Sequence, residues 1–217
     1  MLTREAIARA VLTVGFSDLT FAAVRDQLGV GHTTLYRHVT DRDELVRIGL
    51  SHIFEHATWP SLDGHWREVL SDYALTFWHL LAANPGSATE TARGLVPPLM
   101  MCLTDDLCAA LLRQGFTPPN AILAADIVFD MVTDNRRGVE HVHSARSDTG
   151  GSNTRGVDVR SPNQVESPSA RPATEQEHQA IHTAMSDAMT SDPLDWFARK
   201  LHVALDGVER SLAPSEG

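Results

Sequence analysis

The sequence predicts an all-α fold, and three observations carry that prediction. Apolar residues recur at three- and four-residue spacings through most of the chain, from Ala6 to Leu212. The periodic segments are bounded by helix signals, with Thr, Asp or Pro before them and Gly or Asn-Pro-Gly after. There is no internal repeat and no convincing strand.

The first helix is expected over Arg4 to Val14, capped by Thr3 and ended by Gly15, with Ala6, Ile7, Ala10, Val11 and Val14 on one face. Thr20 caps a second helix, with Phe21, Val24 and Leu28 inward and Gly29 at its end. A short third helix is expected over His32 to Val39. Thr40 is read as the cap of a fourth, whose first turn holds Asp41, Asp43 and Glu44, where the helix dipole favours acids. This helix is expected to reach Ala57, before Trp59-Pro60 breaks the pattern.

The second half continues in helices. Trp66 to Ala83 is an amphipathic run stopped by Asn84-Pro85-Gly86, and a short helix covers Ser87 to Arg93. Pro97 to Gln114 starts with proline and stops at Gly115. A helix from Pro118 or Pro119 reaches His143. Residues 144–173 are rich in Ser, Gly, Pro, Asp and Arg and predict a flexible loop. Helices resume over Glu175 to Met189 and Asp192 to Leu212.

Composition narrows the function classes. The 217 residues are 42% hydrophobic, ordinary for a globular protein. No apolar stretch is long enough to span a bilayer, and no basic-then-apolar leader opens the chain, so a cytoplasmic location is expected. Cys102 and Cys108 are expected to be buried thiols in a reducing compartment. The net charge of -10 argues against a nonspecific polyanion binder. Residues 1–56 hold six Arg against seven acids, so the acidity sits mostly beyond them. Any contact with nucleic acid must then come from a local patch.

Residues 20–45 have the order of a helix-turn-helix: a helix, a glycine turn, a short polar helix and the start of another. Gly15-Phe16, Leu19-Thr20, Leu28-Gly29-Val30, Thr34-Leu35-Tyr36-Arg37-His38 and Asp43-Glu44-Leu45 together resemble the TetR family of bacterial transcriptional regulators. The closing pattern Phe197, Leu201, Leu205, Gly207, Glu209 and the turn Arg113-Gln114-Gly115-Phe116 resemble its tetracycline-repressor subgroup. Gly31 and Val39 depart from the usual Ser and Phe. The resemblance implies an N-terminal three-helix DNA-binding domain joined by helix 4 to a C-terminal helical domain for ligand binding and dimerisation. The boundaries expected are 1–57 and 58–213.

In a helix-turn-helix the start of the second helix meets base edges in the major groove. His32, Thr33 and Thr34 occupy that place, and threonine offers both a hydroxyl and a methyl for thymine. The resemblance implies backbone contacts by Thr34, Tyr36 and His38, with Arg37 toward guanine. Arg42 is expected to clamp a phosphate, and Thr20 to present the second helix's N-terminus to another. Double-stranded DNA with a palindromic site is therefore the expected partner, read by a homodimer. Phe197, Leu201, Ala204, Leu205 and Val208 are expected at the dimer interface.

The resemblance also implies a small-molecule effector, with Tyr73, Phe77, Thr91, Met100, Thr104, Leu107 and Phe129 as candidate pocket residues. Aligned on the Gln114-Gly115-Phe116 turn, Thr91 stands where tetracycline repressors use a histidine for their magnesium-bound drug. An effector other than a tetracycline-magnesium complex, largely apolar, is expected. No cofactor, metal or catalytic residue is expected. Two alternatives remain: a regulator without a ligand, and a zinc hydrolase using His52, Glu55 and His56, which match an H-x-x-E-H pattern. His178 and His182 are a second pair four apart.

Overall fold

In the computed structural model, Thr3 accepts a hydrogen bond from the Ala6 amide and starts helix α1, Arg4–Val14. Thr20 does the same for Ala23 and starts α2, Phe21–Leu28. Gly29, at φ 63°, ends α2 in the left-handed region that glycine tolerates. Then follow α3, His32–Tyr36, and α4, Arg42–Glu55. The structure describes residues 2–148 and 174–214.

Two expectations change here. The third helix stops at Tyr36, where the His38 amide bonds to the Leu35 carbonyl only three residues back and the chain passes into a turn. That turn still buries Val39. The cap of α4 is Asp41, whose carboxylate accepts from the Glu44 amide. Thr40 instead gives its backbone N–H and its hydroxyl to the Glu44 carboxylate. Those two bonds hold the Glu44 carboxyl below its ordinary pKa.

Ile7, Val11, Phe16, Leu19, Val24, Leu35, Val39, Leu45 and Ile48 close the core of the N-terminal bundle. α4 lies close along α1, and Gly49 makes the approach possible. A Cβ there would stand 2.6 Å from Val11 Cγ1.

The remaining helices are α5 (Trp66–Ala83), α6 (Ser87–Ala92), α7 (Pro98–Arg113), α8 (Pro118–Asp148), α9 (Glu175–Thr190) and α10 (Pro193–Ser211). α8 is the central element, packed by α5, α6, α7 and α10. Fully buried Ala121, Ala124 and Ala125 give it a narrow face for close packing. Arg67 of α5 pairs with Asp206 and, at 2.9 Å, with Glu209, tying α5 to α10. α8 continues five residues past the expected end at His143. The rest of the expected loop, 149–173, lies outside the described residues.

The two thiols are not both buried: Cys102 is exposed on α7 and Cys108 half-buried. Among the described residues there is no strand, and no helix is long and apolar enough to cross a membrane.

The apolar core runs without interruption from the N-terminal bundle into the larger one. Phe54 near the end of α4 meets Phe77 of α5, with ring centroids 5.7 Å apart. Trp59 lies beside Phe54 and donates its indole N–H to the Phe54 carbonyl.

Candidate nucleic-acid interface

α3 is anchored from one side only. Leu35 is fully buried, while His32, Thr33, Thr34, Tyr36, Arg37 and His38 are exposed. Tyr36 is held in place rather than free. Its ring stacks on Phe21 with centroids 4.2 Å apart, and His32 lies against it at 4.4 Å. The result is a preset polar and aromatic surface on a short helix. Gly31 caps α3 without a side-chain bond. Thr20 is exposed at the start of α2, with its hydroxyl oxygen engaged in capping.

Arg42, expected to clamp a phosphate, is also bonded inside the chain. Its Nε donates to the Leu19 carbonyl at 3.0 Å, and its guanidinium meets the Glu90 carboxylate at 2.5 Å. The guanidinium thus links α4 to α6. Arg93 binds the other Glu90 oxygen at 2.6 Å and reaches Asp43 at 3.3 Å. Glu90 is 5% exposed. Burial pushes its carboxyl pKa up, but the bonds and charges of Arg42 and Arg93 together outweigh this and hold it below the ordinary value. Beside this network Gly86, at φ 87°, sits against Ser17, where a Cβ would lie 2.6 Å from the backbone nitrogen. Sequence reading missed Glu90 because its partner lies 48 residues away.

The expected pocket residues are mostly core. Tyr73, Phe77, Thr91, Met100, Leu107 and Phe129 are buried, and Thr104 is half-buried. Phe77 packs edge-on against Phe129 at 5.5 Å. The hydroxyls of Thr91 and Thr104 bond to the Ser87 and Met100 carbonyls of their own helices. A cleft of about 640 Å³ lies elsewhere, between α8, the end of α9 and the start of α10. Asn135, Val139, Met189, Trp196 and Lys200 are among its walls. Asn135 also accepts from the Trp78 indole at 3.0 Å, and Arg136 lies over the Trp78 ring.

The expected interface residues need correction too. Phe197, Leu201, Leu205 and Val208 are buried in their own chain, so they present no surface to a second copy. Ala204 is half-buried. Apolar surface remains on the outer side of α8 and α10, at Leu123, Ile127 and Val203. The His52 and His56 rings lie 4.0 Å apart, tilted by 31°, at the end of α4, and Glu55 is exposed. His178 and His182 are exposed on α9.

A helix-turn-helix head continuous with a larger helical bundle is the fold of the TetR family of transcriptional regulators. The TetR family protein ActR of Streptomyces coelicolor, solved in complex with actinorhodin, superposes with a TM-score of 0.73 at 19% identity, covering 99% of each chain. TetR from Acinetobacter baumannii AYE gives 0.66 at 20% identity, covering 97% of this chain and 98% of that one. An HTH-type transcriptional regulator of Saccharopolyspora erythraea is 25% identical over 138 residues, which is 61% of this chain and 58% of that protein. The chain thus matches less than two thirds of this curated relative's length. No protein-family model matches the chain.

Proposed function

We propose that the chain is a TetR-like DNA-binding transcriptional regulator. In this reading it is a cytoplasmic homodimer that represses from a palindromic operator and is released by a small-molecule effector. The observation that carries the reading is the surface of α3 and the turn that follows it: six exposed residues from His32 to His38, held from behind by Leu35. Such a helix fits a major groove, where His32, Thr33, Thr34 and Arg37 meet base edges and Tyr36 and His38 flank them. A net charge of -10 leaves this local surface to supply the attraction.

Pairing uses the outer side of α8 and α10, around Leu123, Ile127, Met131, Val203 and Ala204. The effector enters by the cleft beside Trp196 and reaches Trp78 through Asn135. Its walls suit a largely apolar molecule with a few polar groups. Displacement of α6 then passes through Glu90 and Arg42 to α4, and the two α3 helices lose their register on DNA. The effector acts through its different affinities for the two arrangements.

The test is selection of genomic fragments by purified protein at fixed salt, with a Tyr36→Ala, Arg37→Ala double variant beside it. A palindromic site recovered by the parent and lost in the variant is the expected result. Equal recovery by both refutes DNA reading by α3.

A further inference from the structure

α1 and α4 bring together a ligand set that neither helix holds alone. His52 stands in the last turn of α4 and His56, four residues on, is the C-cap residue on the same side. Glu5, near the start of α1, approaches them from across the helix pair. Its Oε2 lies 3.4 Å from His52 Nδ1. One ligand atom from each of Glu5, His52 and His56 falls within 4.8 Å of the others. We propose that these three residues form a binding site for a divalent transition metal of the zinc type, one that clamps α1 to the C-terminal half of α4.

The tautomer of His56 supports this assignment. Its Nδ1 lies 2.8 Å from the His52 carbonyl oxygen. A carbonyl only accepts, so Nδ1 carries the proton and the Nε2 lone pair is free to ligate. A backbone carbonyl orienting the far nitrogen is the usual support of a metal-binding histidine. The His52 side chain is 15% exposed, which limits its movement, while that of Glu5 is 52% exposed and can adjust. Tetrahedral zinc with bonds of about 2.0–2.1 Å needs ligand atoms roughly 3.4 Å apart. The Glu5–His52 pair already meets that spacing, and the remaining separations, at most 4.8 Å, close by small shifts of the side chains.

Two imidazoles and one carboxylate suit zinc and its neighbours, whereas magnesium and calcium prefer all-oxygen sets. Water completes the fourth position. A cleft of about 150 Å³ lined by Glu5, His52 and Glu55 gives access from solvent. Arg4 borders the same cleft and Arg9 lies 3.9 Å from Glu5, so their charges oppose the metal. Glu5 and Glu55 offset them.

The experiment is titration of the whole untagged chain with Zn²⁺, followed by calorimetry and by competition with a chromophoric chelator. Mg²⁺ and Ca²⁺ serve as controls. One equivalent per chain is expected, weakened at least about 10-fold by His56→Asn and by Glu5→Gln. Thermal unfolding of each variant without metal checks that it is folded. A His178→Asn, His182→Asn variant is expected to bind as the parent does. Loss of binding in that variant alone, unchanged binding in the His56 and Glu5 variants, or no saturable Zn²⁺ binding overturns the proposal. None of these readouts involves DNA, so the site stands or falls apart from the proposed regulator function.

Discussion

Replacing Glu90 by Gln tests whether the buried carboxylate holds α4 to α6. The substitution keeps size and shape but removes the charge. Glu90 accepts bonds of 2.5 Å from Arg42 and 2.6 Å from Arg93, with its own side chain only 6% exposed. A hydrogen bond to a charged group contributes about 1.5–3 kcal/mol. Breaking a fully buried pair costs about 3–5 kcal/mol. The Arg42 side chain is 37% exposed, so water recovers part of that loss. A destabilisation of about 2–3 kcal/mol is expected, or roughly 4–12 °C in Tm for a chain of this size. Because the folded-state carboxyl pKa is depressed, its contribution is present above the unfolded pKa of about 4.3 and is lost as pH falls through the folded value. Urea unfolding of parent and variant at pH 7 and pH 4 measures both effects. The gap between them should narrow at pH 4. A double-mutant cycle with Arg42→Met isolates the pair. A coupling below about 0.5 kcal/mol, or a gap independent of pH, refutes the reasoning.

Gly86→Ala is expected to cost about 2–3 kcal/mol in urea unfolding, because a Cβ would combine a positive φ with a clash against the Ser17 backbone. Gly29→Ala, with positive φ but open space, should cost only about 1 kcal/mol, and equal losses would count against the contact. Gly49→Ala forces α4 away from Val11 and Phe16 and should lose about 1–3 kcal/mol; an unchanged Tm would show that the α1–α4 contact is looser than described. A thiol reagent should label exposed Cys102 well before Cys108, whose pKa is raised by burial and by the nearby charge of Asp105; mass spectrometry of partly labelled protein reads the order, and labelling of Cys108 first contradicts it.

What the sequence disclosed follows the range of the interactions involved. The limits of α1 and α2 agree with expectation because Thr3, Thr20 and Gly29 act within a few residues of themselves. Thr40 and Asp41 are both good caps, and adjacent good caps leave the choice to the fold. The exposed surface of α3 was legible for the same local reason, since Leu35 is the one aliphatic residue between His32 and His38. Arg42 and the closing stripe depend on distant partners. Arg42 looked free beside a helix start, yet its partner comes from α6. The stripe of Phe197, Leu201, Leu205 and Val208 disclosed a buried face, but periodicity does not say whose core receives it. α8 receives it here, and α10 has apolar residues on its outer side as well. Glu5 follows the same rule. His52 and His56 announce a shared face at four-residue spacing, but only the packing of α1 on α4 brings the carboxylate within reach of them. Patterns within a helix can thus nominate a pair of ligands, and the third has to come from the fold.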